Sequence, residues 1–198
     1  MRHGFKSECE SLAAAVRAEL GLGTRARLDP RVLAAHLVIP LHPVSELAGS
    51  VGDAVRHVVD VDRSALSAVT IFPDWPRRHR VIVFNDANSP ARQNSDIAHE
   101  LAHGLLLHQP RHPFMLGCRD YRRSEEDEAA WLAGCLLVPR EAALQVAWLR
   151  LAMGTAAVEY GVSRQLMTWR VNQTGARLQA ERARDRRSPG RPPRRPAA

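Results

Sequence analysis

The sequence has no run of apolar residues approaching the length of a membrane span; its longest purely apolar stretches are a few residues, where a spanning helix needs about 20. This excludes a membrane-embedded partner role. The N-terminus, Met1-Arg2-His3-Gly4-Phe5-Lys6, leads into charged residues rather than the apolar core of a signal peptide. No C-x-x-C spacing occurs, and the three cysteines, Cys9, Cys118 and Cys135, are an odd number. That pattern argues against a zinc ribbon or a disulfide framework and predicts reduced thiols in a cytoplasmic protein. Lysine is almost entirely replaced by arginine, which reads as codon bias rather than chemistry. Aromatic residues make up only 5% of the chain, but an apolar fraction of 45% is ordinary for a globular protein. A length of 198 residues then fits one main domain with small appended pieces.

The net charge is +7, and most of it is local. Between Glu181 and Ala198, seven arginines face two acids, a net +5. Its end, Ser188-Pro189-Gly190-Arg191-Pro192-Pro193-Arg194-Arg195-Pro196, cannot build a core, so a disordered tail is expected from residue 181. No aromatic residues interleave these arginines for base stacking, which favours a solvated tail over a nucleic-acid contact.

Along the chain, residues 5–20 carry Leu12, Ala15, Val16 and Leu20 at helical spacing, stopped by Gly21-Leu22-Gly23. Asp29-Pro30 predicts an N-cap and first helical residue for a helix to about His36. Residues 38–41 predict a short strand that Pro40 confines to an edge or an end, and residues 45–47 and 53–59 predict further helix. Residues 65–72 and 80–85 predict two strands, joined antiparallel through the turn chemistry of residues 73–78. Asn88-Ser89-Pro90 opens a helix, and Gln109-Pro110 begins a loop to about Tyr121. Ser124 with Asp127 predicts a capping-box-like start for the next helix, whose apolar stripe runs to Pro139. Residues 140–151 predict another helix. Residues 155–167 resemble a helix-turn-helix, with Arg164, Gln165, Thr168 and Arg170 available to face DNA; a packed helical hairpin would have the same pattern.

Within the helix after Pro90 lies His99-Glu100-Leu101-Ala102-His103, a His-Glu-x-x-His pentapeptide. Residues four apart share a helix face, so both histidines can bind one metal ion, and Glu100 beside them can take a proton from bound water. Ile97, Ala98, Leu101, Ala102 and Leu105 give the helix a buried face that would hold the ligands rigidly. A catalytic zinc usually takes three protein ligands. The metzincin spacing fails, because Leu106 and Gln109 stand where it needs Gly and His. His108 is turned well off the ligand face of an unbroken helix. The acidic cluster Glu125-Glu126-Asp127-Glu128 is the better source. Glu128, next to Ala129-Ala130, is modestly preferred over Glu125, while Glu126 and Asp127 read as a solvated helix N-terminus.

The residues Ala98-His99-Glu100-Leu101-Ala102-His103, followed by Glu126-Asp127-Glu128-Ala129-Ala130-Trp131-Leu132-Ala133-Gly134-Cys135-Leu136-Leu137-Val138-Pro139, resemble the ImmA/IrrE family of zinc metallopeptidases. The resemblance extends through Asn85, Arg92-Gln93 and His108. It implies His99, His103 and Glu128 as zinc ligands and Glu100 as general base. Ala130, Leu132 and Val138 depart from the family's usual Asn, Phe and Met, and Ala130 removes an amide from the site's surroundings. The implied fold class is α+β: a mostly helical zincin-like core with a small antiparallel sheet over residues 1–152, a helix-turn-helix-like segment over 153–180, and the tail over 181–198. The implied substrate is a helix-turn-helix transcriptional repressor, cleaved in the cytoplasm. Tyr121, His108 and His112 are the nearby candidates for stabilising the oxyanion. The competing readings are a DNA-binding regulator whose zinc site is structural or inactive, and a sensor that sequesters the repressor uncut.

Overall fold

The computed structural model describes residues 2–47, 67–72, 79–108 and 122–187. The helix expected at 53–59, the turn at 73–78, the loop at 109–121 and the tail beyond 187 lie outside the described residues.

Helix α1 (Phe5–Glu19) buries Phe5, Cys9, Ala13 and Val16, residues spaced to share one helical face. It closes at Gly21, whose φ of +66° lets the Leu22 N–H return to the Arg17 carbonyl at 2.8 Å. Helix α2 (Pro30–His36) starts where Asp29-Pro30 predicts, the Asp29 carboxylate accepting from the Arg31 N–H at 2.9 Å. Val38 then takes a left-handed turn at φ +55°, which delays strand β1 to Leu41–Pro43 rather than 38–41. A four-residue helix α3 (Val44–Leu47) follows.

Strands β2 (Ala68–Ile71) and β3 (Val81–Phe84) pair antiparallel, with Thr70 opposite Ile82. The sheet is mixed rather than purely antiparallel, because β1 adds to β3 in parallel, Leu41 opposite Ile82. Parallel pairing needs a long crossover, and the chain between residues 43 and 81 supplies it. Among the described residues, the order β1-β3-β2 leaves β2 at one edge and β1, which contains Pro43, at the other.

Helix α4 (Pro90–Leu105) is capped by the Ser89 hydroxyl, and it packs on β2 and β3 on one side and on α5 (Arg123–Leu137) on the other. Ile97, Ala98, Leu101 and Ala102 from α4, with Ala129, Leu132 and Leu136 from α5, are completely buried. Each leucine or isoleucine there contributes about 2 kcal/mol of apolar burial. The alanines keep the two helices close. Helix α5 starts one residue before Ser124, its cap formed by the Arg122 backbone N–H donating to the Glu125 carboxylate at 2.9 Å, so Ser124 lies within the first turn.

Two buried arginines fix the far end of α5. Arg17 donates to the carbonyl of Leu136 at 3.0 Å, and Arg170 donates to the carbonyl of Val138 at 2.8 Å and to Glu10 at 2.8 Å. Cations at a helix C-terminus satisfy its orphan carbonyls and its negative dipole end together.

The C-terminal region continues as α6 (Arg140–Trp148), α7 (Met153–Tyr160), α8 (Arg164–Gln173) and α9 (Ala176–Arg187). The α7-α8 pair has the expected glycine turn and the Ser163 cap, whose hydroxyl accepts from the Leu166 N–H at 3.1 Å. This turn is docked on the body of the protein. The Gly161 carbonyl accepts from Asn94 of α4 at 2.8 Å, and Tyr160 donates to the Arg25 carbonyl at 2.7 Å. Arg164 and Gln165 are exposed, but Arg170 is fully buried and cannot face DNA. Helix α9 also differs from the expected tail, for residues 181–187 are helical. Ala176 and Ala180 are buried, and Arg184 lies 5.4 Å over the Trp148 ring while donating to the carbonyls of Ala147 and Trp148.

Candidate metal centre

The buried stripe of α4 fixes the helix's rotation, and so fixes where His99, Glu100 and His103 stand. His103 is 1% exposed and His99 is 25% exposed on its side chain, while Glu126, from the first turn of α5, is 30% exposed. His99 Nε2 lies 3.1 Å from His103 Nε2 and 3.1 Å from Glu126 Oε2; His103 Nε2 lies 3.7 Å from Glu126 Oε1. Ligand atoms about 2.0–2.1 Å from zinc at tetrahedral angles stand about 3.3 Å apart. The two 3.1 Å separations match that spacing, and one donor atom from each residue lies within 4.8 Å of the other two, so two imidazoles and a carboxylate, donors of a kind that suits zinc, can gather round one metal ion. One corner is buried and two are partly exposed among the described residues.

Burial pushes the His103 imidazole down to about 3 from 6.5, helped by His99, opposed by Glu126, and helped further by His108 and Arg80. The ring is held neutral, the form that ligates metal. Arg80 lies against the end of this helix. Its guanidinium occupies the space beside Gly104, where a Cβ would approach within 2.6 Å, and stacks over Phe72 at 5.5 Å. Glu100 turns toward the sheet and accepts from the Thr70 hydroxyl of β2 at 2.7 Å.

Of the four residues expected from the sequence, the structure groups His99 and His103 with Glu126, sets Glu100 against Thr70, and sets Glu128 beside His108. Glu128 Oε2 is 3.5 Å from His108 Nε2, and His108 Nδ1 is 3.0 Å from His103 Nδ1, so Glu128 stands behind His103 while Glu126 stands in front. Both glutamates lie on faces of α5 that turn inward. Glu126 continues the line of Ala129 and Ala133, and Glu128 that of Leu132 and Cys135. Which line faces the histidines depends on how α5 sits against α4, which no local pattern encodes. His108 also departs from the unbroken-helix expectation. Helix α4 ends at Leu105, and Leu107, at φ +57°, folds the chain so that the His108 N–H returns to the His103 carbonyl at 3.0 Å. Of the residues considered for the oxyanion, Tyr121 and His112 lie outside the described residues, and His108 sits on the Nδ1 side of His103, away from the triangle. Thr70 and Arg80 carried no sequence signal, since one is an ordinary strand residue and the other a flanking arginine.

Two histidines of one helix, with a carboxylate from the next helix beside them, form a group that can hold a metal ion. The chain belongs to the IrrE N-terminal-like domain family of peptidases, whose profile matches residues 57–172 and so spans β2 through most of α8. No curated protein matches the chain. Among the described residues no helix is long and apolar enough to cross a membrane.

Proposed function

We propose that this protein is a zinc-dependent cytoplasmic endopeptidase that cleaves a helix-turn-helix transcriptional repressor, with His99, His103 and Glu126 as ligands. The observation that carries the reading is the cluster of metal-ligating donors from His99, His103 and Glu126, with Glu100 next to His99 on the same helix. A bound zinc supplies Lewis acidity, lowering the pKa of a bound water toward ~7 and polarising the scissile carbonyl. Glu100 takes the water's proton as it attacks the carbonyl carbon, then delivers that proton to the departing amine nitrogen as the C–N bond breaks. The Thr70 hydroxyl of β2 donates to one Glu100 oxygen at 2.7 Å. That contact orients the carboxylate without protonating it. The edge of β2 offers backbone groups to which an extended substrate segment can add as a strand, which brings a peptide bond past Glu100.

The test is incubation with the helix-turn-helix protein encoded beside this one, with and without chelator, followed by mass analysis of fragments. Fragments that require metal, and that disappear with Glu100→Gln while metal is retained, are expected. An intact partner in tight complex would replace this reading with a sequestering one. Normal cleavage by Glu100→Gln would overturn the mechanism.

A further inference from the structure

We propose that Glu128 and His108 form a proton-ordered relay behind the metal centre, which fixes His103 in the tautomer whose Nε2 lone pair faces the metal. The inference rests on His103 being a ligand through Nε2, as in the reading above. It concerns residues that touch neither metal nor substrate, so both are positioning residues.

The argument is a proton inventory. Two ring nitrogens 3.0 Å apart, His103 Nδ1 and His108 Nδ1, share one hydrogen, so one donates and the other accepts. A neutral imidazole carries one N–H. If His103 Nε2 is to offer a lone pair toward His99 and Glu126, its hydrogen must sit on Nδ1, and His103 is the donor. His108 Nδ1 is then the acceptor, and the single hydrogen of a neutral His108 must sit on Nε2. That atom lies 3.5 Å from the carboxylate of Glu128, which can only accept when ionised. The line of contacts thus ends on a carboxylate, an acceptor, rather than on a clash of two donors.

The packing shields this arrangement. His103 and His108 are 1% and 8% exposed, and their rings meet nearly edge to face, 5.1 Å between centroids at 67°. The contact with His108, itself beside Glu128, stops the His103 ring from flipping. The left-handed turn at Leu107 is what swings His108 back onto His103. Similar turns at Val38 and Arg150 end other helices, so the turn is a general device of this fold, here used to deliver an imidazole. The relay also accounts for two inward-facing glutamates two residues apart on one helix: one meets the ligand triangle directly and the other supports it from behind.

The experiment measures zinc affinity by competition with a chromophoric chelator, alongside long-range ¹H–¹⁵N correlation spectra of histidine-labelled, zinc-loaded protein. In the wild type, His103 should show a protonated Nδ1, and His108 a protonated Nε2 with a bare Nδ1. His108→Phe should weaken zinc binding by about 10–100-fold, His108→Asn should recover part of that loss through its amide oxygen, and Glu128→Gln should weaken binding less. His103→Ala separates the two readings. Tight zinc binding by that variant overturns the ligand assignment itself. Loss of binding in His103→Ala with wild-type affinity in folded His108→Phe overturns the relay alone. Should His108→Phe fail to fold, the wild-type spectrum still decides: a proton on His103 Nε2, or on His108 Nδ1, contradicts the proposal.

Discussion

The two ends of α5 are built for opposite purposes. Its first two turns carry four consecutive acids, two of them, Glu126 and Glu128, beside the histidines His99 and His108, and they stay partly open to solvent. Its last turn is fully buried, and the Arg17 and Arg170 guanidiniums bind the carbonyls of Leu136 and Val138. One end can therefore reorganise around an ion without disturbing the core, while the other holds the helix in register. The contrast teaches that ligand geometry here is set remotely. Glu126 is placed by the anchoring of residues about three turns away, as much as by anything in its own surroundings.

Substitutions at the two ends should separate activity from stability. The largest effect belongs at the open end. Glu100→Gln should reduce cleavage by about 10²–10⁴-fold with unchanged unfolding, measured by fragment yield and urea titration. A matching loss of stability would mean that the open end is structural after all. At the anchored end, Arg170→Ala strands the Val138 carbonyl and deprives Glu10 of its partner, a destabilisation of about 3 kcal/mol in the same titration. Zinc affinity of the folded fraction should barely change. A large drop in affinity would instead tie the anchor to the site tightly enough to dissolve the distinction.

Smaller effects sharpen the comparison. Thr70→Val removes one hydrogen bond to Glu100 and keeps the strand residue's shape, so kcat should fall about tenfold. Zinc content should be untouched; a change in metal binding would place Thr70 in the wrong role. Near the anchored end, burial pushes the Cys9 thiol up to about 12, aided by Glu10, Glu128 and Glu8 and opposed by Arg170. Burial also raises Cys135. Neither should react with a thiol reagent at pH 8 in the native protein, and both should react on unfolding. Rapid native labelling of either would show that this end opens readily.

The contrast also marks what the sequence makes legible. Helix starts announced by Asp29-Pro30, Ser89-Pro90 and Ser163 appear where local capping chemistry predicts, and His99, Glu100 and His103 share a helix as their spacing requires. These are short-range rules. The choice between Glu126 and Glu128 is not local, because both sit on inward lines of α5 and only its placement against α4 selects one. His108 is misjudged for a related reason, since a leucine rather than a glycine occupies the left-handed position that ends α4. Residues 181–187 of α9 read as tail by composition, yet the helix seats Ala176, Ala180 and Arg184 on a surface that composition cannot reveal. Arg170 is among the residues available to face DNA until the fold supplies Glu10 and the end of α5 as its partners.

The most direct measurement compares the metal content of Glu126→Gln and Glu128→Gln after dialysis against a weak chelator, both proteins verified as folded. The account predicts that Glu126→Gln loses stoichiometric zinc and that Glu128→Gln keeps it at reduced affinity. Zinc lost from Glu128→Gln and retained by Glu126→Gln would contradict it.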